Sequence, residues 1–141
     1  MGLGTDGAGS TNTLDMFEEI RIAALLQKVI HKKASCIDAF TALNMATKEG
    51  AEVLGLQEKI GTLEEGKLAD IILIDLSKPH LQPINDIYSD LVYSATGQDV
   101  DTTIINGNII MENRKLIQDD ENKIIQECER IKNKYMNKNN L

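Results

Sequence analysis

The chain has 141 residues, a net charge of −7, 4% aromatic residues and no Trp. That length suits one domain, and the composition calls for a core of Ile, Leu, Val and Ala. The acidic balance argues against a nucleic-acid-binding surface, and no apolar run approaches membrane-spanning length.

The chain opens on Gly2-Leu3-Gly4-Thr5-Asp6-Gly7-Ala8-Gly9-Ser10. Asp6 follows a very short apolar stub and sits among residues too small to shield it. A carboxylate between a strand end and a loop is a common place for chemistry. Asn12-Thr13 offers a helix start, with Asp15, Glu18 and Glu19 in the first turns, where the helix dipole favours anions. Leu14, Phe17, Ile20 or Arg21, Ala24, Leu25 and Ile30 form an apolar stripe at helical spacing. Ser35 and Asp38 resemble a capping box for a second helix that buries Ile37, Phe40, Leu43 and Met45. Thr47 heads a third short helix through Ala51 and Leu54, ended by Gly55 in the left-handed region.

The character changes at Leu56, where Gly61, Gly66 and acidic residues make a loop. Asp70 to Asp75 encloses a continuous apolar run that predicts a strand covered on both faces. Pro79 and Pro83 mark an irregular connection, and Asp86 to Ala95 a short helix. Asn106-Gly107, between Val100–Ile105 and Asn108–Met111, is the strongest local signal. A tight hairpin turn needs positive φ at both central residues, and Asn-Gly supplies it. Asp119-Asp120 starts a last helix with Ile124, Cys128, Ile131 and Tyr135 as a packing face. Lys132 to Lys138 reads as a basic, solvated end.

Two strings mimic nucleotide-binding motifs. Gly2 to Gly7 fits G-x-G-x-x-G, but no strand precedes it and Asp6 would repel a pyrophosphate. Gly61 to Lys67 fits most of a P-loop, yet Leu68 stands where a hydroxyl should be, and the loop leads into a strand. It reads as a Gly-bearing turn. His31 reads as a dipole-stabilised cation near a helix end, and His80 as a loop residue near carboxylates. The two histidines and Cys36 and Cys128 share no metal-ligand spacing. Two unpaired thiols, with no basic and apolar leader, point to a reducing, cytoplasmic setting.

The run from Gly4-Thr5-Asp6-Gly7 through Asn12-Thr13-Leu14-Asp15-Met16-Phe17 to Glu19 resembles the C-terminal part of the amidohydrolase superfamily. So does the run from Ile60-Gly61-Thr62-Leu63-Glu64-Glu65-Gly66-Lys67 to Asp75. Lys78-Pro79-His80-Leu81 and Asp101 to Gly107 follow in the same order and spacing. The similarity runs from residue 2 to about Leu116. It is nearest to the branch that deaminates 5′-methylthioadenosine and S-adenosylhomocysteine.

The resemblance implies a mixed α and β fold: the last strand stub and terminal helices of a (β/α)8 barrel, then part of a small β domain, then a final helix. Residues 1–55 would be the barrel remnant, residues 56–116 part of the composite β domain with its Asn-Gly hairpin, and residues 117–141 the last helix and tail. Asp6 would match the carboxylate that binds a catalytic divalent metal, zinc, and touches substrate. It would take a proton from metal-bound water as that water attacks C6 of an adenine ring. Ser10 and Asn12 would either touch ligand or cap the next helix. The family's His-x-His pair, its two further His ligands and its ring-protonating Glu have no counterpart here. One carboxylate alone does not hold a metal in water. The expectation is therefore a C-terminal fragment, inactive and metal-free in isolation, that works with an N-terminal complement chain. The alternative is a non-enzymatic domain that self-associates or binds a partner through exposed strand edges.

Overall fold

A computed structural model of the chain describes residues 1–139. Helices come first: α1 (Met16–His31), α2 (Ala39–Ala46) and α3 (Lys48–Val53). Strand β1 (Ile71–Ile74) and helix α4 (Ile87–Tyr93) follow, then β2 (Val100–Ile105), β3 (Asn108–Glu112), β4 (Lys115–Leu116) and a last helix α5 (Glu121–Asn139). The four strands make one antiparallel sheet in the order β1-β2-β3-β4.

Asp15, not Asn12 or Thr13, caps α1: its Oδ1 accepts the Phe17 N–H at 2.9 Å. Of the expected stripe, Phe17, Ile20 and Ala24 are buried, while Leu14, Leu25 and Ile30 remain exposed. Asp38 caps α2 by itself, taking the Thr41 N–H at 2.8 Å, and Ser35 lies outside the cap. Ile37, turned to φ 29°, brings Asp38 into the capping position. Met45 is buried as expected, but Phe40 is 53% exposed and meets Tyr88 edge-on at 5.1 Å. Thr47 heads α3 without capping it, because its hydroxyl donates back to the Leu43 C=O. Gly55, at φ 68°, ends that helix as expected. Its N–H goes to Glu52 and that of Leu56 to Ala51, so two terminal carbonyls are satisfied.

One core cluster joins α1, α2 and α4 through Ile20, Ala24, Ala39, Ala42 and Val92. A second ties the start of α1 to the sheet through Phe17, Leu81, Ala95 and Val100. Lys28 stitches the helices further: its Nζ donates to the Ile37 C=O at 2.6 Å and Tyr93 Oη at 2.7 Å.

Asn106 (φ 49°) and Gly107 (φ 77°) turn β2 into β3 as the sequence predicts. Asp70 Oδ1 accepts the Asn106 N–H at 2.7 Å, fastening that turn to the start of β1. Asn113 and Arg114, also at positive φ, turn β3 into β4, a second tight hairpin without a glycine.

Two further expectations fail. β1 is not covered on both faces, since Ile72 is 47% and Leu73 52% exposed. β1 is an edge strand, and the second core cluster reaches only its Ile74 end. The apolar stripe of α5 is not packed either: Ile124, Cys128, Ile131 and Tyr135 are all exposed. No described helix is long and apolar enough to cross a membrane.

Candidate functional site

The segment that carries Asp6 forms no strand. It lies across the second and third helices instead. The Met1 ammonium pairs with Glu49 at 2.9 Å, and the Leu3 N–H donates to the Met45 C=O at 3.1 Å. Asp6 itself is exposed and adopts φ 59°, the left-handed region that a short polar side chain tolerates by bonding locally. Its Oδ1 accepts the Gly7 N–H at 2.6 Å, which leaves Oδ2 facing solvent. Gly7 to Ser10 then close a turn, with the Ser10 N–H on the Gly7 C=O at 2.8 Å. Capping of α1 falls to Asp15, so it does not account for Ser10 or Asn12; both are exposed.

Beside this segment lies a cavity of about 720 Å³. Gly2, Leu3 and Gly4 form one wall; Val53, Ile60 and Ile71 are among the apolar side chains opposite. Asp6 does not line it.

His80 has a different place from the one expected. It is not a free loop residue but one of several groups gathered on Asp99, which is 1% exposed. Asp99 Oδ1 accepts from Lys78 Nζ at 2.9 Å, and Oδ2 lies 3.1 Å from His80 Nε2. Oδ2 also takes the Thr96 N–H at 2.8 Å and its hydroxyl at 3.0 Å. Burial pushes this carboxyl up, but the Lys78 ammonium, His80 and the two Thr96 donors outweigh it. They hold Asp99 well below the usual carboxylate range. This cluster was missed in the sequence, although Thr96-x-x-Asp99 is a capping-box spacing, and a capping box forms there.

His31 is an exposed residue in the last turn of α1. Lys67, the P-loop-like lysine, is tied locally to Thr62 and Glu64. Cys36 and Cys128 are free thiols. Among the described residues no group of three or more His, Cys, Asp or Glu side chains is placed to hold a metal ion.

This order of elements, with a carboxylate-bearing Gly-rich turn ahead of α1 and a four-stranded antiparallel sheet after the helices, places the chain in the amidohydrolase family. The model of that family matches residues 1–110. Among the relatives is the 5-methylthioadenosine/S-adenosylhomocysteine deaminase of Acetivibrio thermocellus. It is 54% identical over 122 residues, covering 86% of this chain and 28% of that protein. The enzyme of the same name from Caldanaerobacter subterraneus is 52% identical over 128 residues, covering 91% of this chain and 30% of its own length. The crystal structure of an adenosine deaminase from Xanthomonas campestris with bound zinc superposes with a TM-score of 0.91 at 38% identity, covering 94% of this chain and 30% of that one. The chain thus spans about 30% of the length of the curated relatives it matches.

Proposed function

We propose that this chain supplies the C-terminal portion of a hydrolytic deaminase acting on an adenosine-type nucleoside, with Asp6 as the carboxylate that meets the substrate. In this reading residues 1–55 are the last part of a (β/α)8 barrel, residues 56–116 part of a composite β domain and residues 117–141 a closing helix. The observation that supports it best is the setting of Asp6. One carboxylate oxygen is left facing solvent in a turn of small residues, in a chain 54% identical over 122 residues to a named deaminase.

Hydrolytic deamination replaces a ring amine by the oxygen of water and releases ammonia. Asp6 takes the proton of the attacking water on Oδ2 and returns it to the departing nitrogen, so the carboxylate ends as it began. Gly7, Ala8 and Gly9 leave room for a planar ring beside it. Ser10 and Asn12, with no capping duty, are available to the ligand.

A catalytic zinc takes three protein ligands and keeps one position open. Asp6 is one donor; His80 is engaged with Asp99, His31 ends α1, Cys36 lies in the connection to α2 and Cys128 is on α5. The described residues alone therefore do not fit a resident ion. We assign Asp6 one carboxylate position in an assembled enzyme whose nitrogen donors lie in the part of the fold that these 141 residues do not span, in the cytoplasm. A second reading, a self-associating domain without catalysis, is favoured by the exposed apolar stripe of α5 and by the bare edge of β1.

Mixing the chain with the part of the Acetivibrio thermocellus deaminase that it does not match tests both. Ammonia release from 5′-methylthioadenosine by the mixture, and by neither piece alone, is the expected result. Tight zinc binding with turnover by the 141-residue chain alone would overturn the assignment of the missing donors. A complex that forms and stays inert would favour the second reading.

A further inference from the structure

Asp6 lies in a segment with few anchors. Among the described residues, the hydrogen bonds of residues 4–14 all close locally, none reaching beyond Glu18. Upstream, the first long-range tie is the Leu3 N–H on Met45. Downstream it is Asp15, whose carboxylate bridges two chain segments 82 residues apart. Oδ1 accepts the Phe17 N–H at 2.9 Å and Oδ2 the Gly97 N–H at 3.0 Å. Capping α1 requires only the first of these bonds.

The second bond has a site shaped for it. A Cβ at residue 97 would lie 3.2 Å from Asp15 Oδ2 and 3.3 Å from its Cγ, tighter than most such contacts, so a methyl there would displace the carboxylate by a few tenths of an ångström. Gly97 is also held from its other side. Its C=O accepts from Arg114 Nη1 at 2.9 Å, and the preceding Thr96 is bound by the buried Asp99 through both N–H and hydroxyl. Lys78, gripping Asp99, reaches the Gln98 C=O at 2.7 Å as well. The Thr96–Asp99 turn is therefore fixed from three directions before Asp15 touches it.

We propose that Asp15 is the positioning residue of the Asp6 loop, and that the clamped Thr96–Asp99 turn is the fixed point it holds against. The proposal rests on reading Asp6 as the reacting carboxylate for its functional meaning. A Gly-rich loop loses much conformational freedom when ordered, so fixing its root narrows what the remaining residues sample. Displacing a reacting group by about 1 Å costs on the order of 100-fold in rate. In this arrangement the sheet-side turn sets where the loop acid can be.

Nuclear magnetic resonance on the full 141-residue chain tests it. Asp15→Ser keeps a cap for Phe17 but is too short to reach Gly97. Gly97→Ala keeps Asp15 and pushes its carboxylate away from the other side. In both variants the ¹⁵N order parameters of residues 7–12 should fall from about 0.85 to below about 0.6, the range of flexible backbone. The Asp6 ¹³Cγ resonance should move with them, a signature that a purely structural cap would leave alone, while Ile20 and Ala24 amides keep their protection. Unchanged loop order and an unmoved Asp6 resonance in both variants would overturn the proposal. So would loss of α1 protection in Asp15→Ser with a normal loop in Gly97→Ala, which would leave Asp15 a cap only. If the assembled deaminase tolerates Asp6→Asn while Asp15→Ser loosens the loop, the reading of Asp6 falls and the positioning role stands.

Discussion

Asp6 and Asp99 are both carboxylates in turns, and their surroundings give them opposite tasks. Asp6 keeps one oxygen in solvent, whereas both oxygens of Asp99 are engaged by donors, one on Oδ1 and three on Oδ2. In a reconstituted deaminase, Asp6→Asn should lower turnover by about 10²–10⁴-fold, the usual worth of a positioned proton carrier. Its melting temperature should match that of the parent, because the side chain bonds only to its own neighbour; near-normal ammonia release would remove Asp6 from the chemistry. Asp99→Asn should do the reverse. It removes the buried charge that pairs with Lys78, whose ammonium is one-third exposed and keeps the Gln98 C=O, at a cost of about 1–2 kcal/mol at pH 7. The sign with pH follows from the lowered folded value. The unfolded carboxyl titrates near 3.8, so the stabilisation is complete above that value and fades as acid protonates the unfolded chain first. Urea titrations from pH 7 to pH 3 should show the parent losing stability below pH 4 and Asp99→Asn losing distinctly less. Parallel acid limbs would place the dependence elsewhere. Asp6 was visible in the sequence because its neighbours are unusual in type. Asp99 was not, because its partners Lys78 and His80 lie 21 and 19 residues away and converge only through the fold.

Local signals were legible at the scale of elements wherever the backbone itself sets the conformation. Asn106-Gly107 names its own turn, and Gly107→Ala should cost about 1–2 kcal/mol through left-handed strain. Nothing lies within 4 Å of the added methyl, so strain is the whole effect. Asn106→Gly should stay within about 1 kcal/mol, and equilibrium unfolding of the two variants checks the difference. Capping residues were harder to place. Asn12, Thr13 and Ser35 have the right chemistry, but Asp15 and Asp38 hold the caps, and Asp15 owes its position partly to Gly97 far along the chain. The turn at Asn113-Arg114 carried no recognisable code, since neither residue is glycine. α5 was read correctly as a helix and wrongly as a packed one, because periodicity reports an apolar face and not its occupant. A helix of 19 residues with its described side chains in solvent is held only by its propensity, the Asp120 cap and surface pairs such as Glu127–Arg130 and Glu129–Lys132. Its amides should exchange at least 100-fold faster than those of Ile20 and Ala24 in α1. Equal protection would show that the stripe is covered in solution.

The whole molecule has its apolar residues distributed in a way that one small core does not explain. Leu25, Leu26, Val29 and Ile30 on α1, Ile72 and Leu73 on β1, and Ile124 and Ile131 on α5 are all at least 41% exposed. Scattered apolar side chains are ordinary on a surface, but here they form rows on three separate elements. The cavity of about 720 Å³ between residues 2–4 and β1 adds a fourth apolar surface. A homodimer covers one face of each copy by symmetry, whereas a complementary polypeptide can reach several at once. The expectation that follows is an order of stability. Hydrogen exchange of the chain alone should protect the two core clusters and leave the 71–74 strand and α5 weakly protected. Adding the unmatched part of the Acetivibrio thermocellus deaminase should raise the protection of β1, α1 and α5 together and raise the melting temperature with its concentration, as binding to the folded state requires. Protection that rises with the chain's own concentration, and no further when the complement is added, would instead make a second copy the occupant.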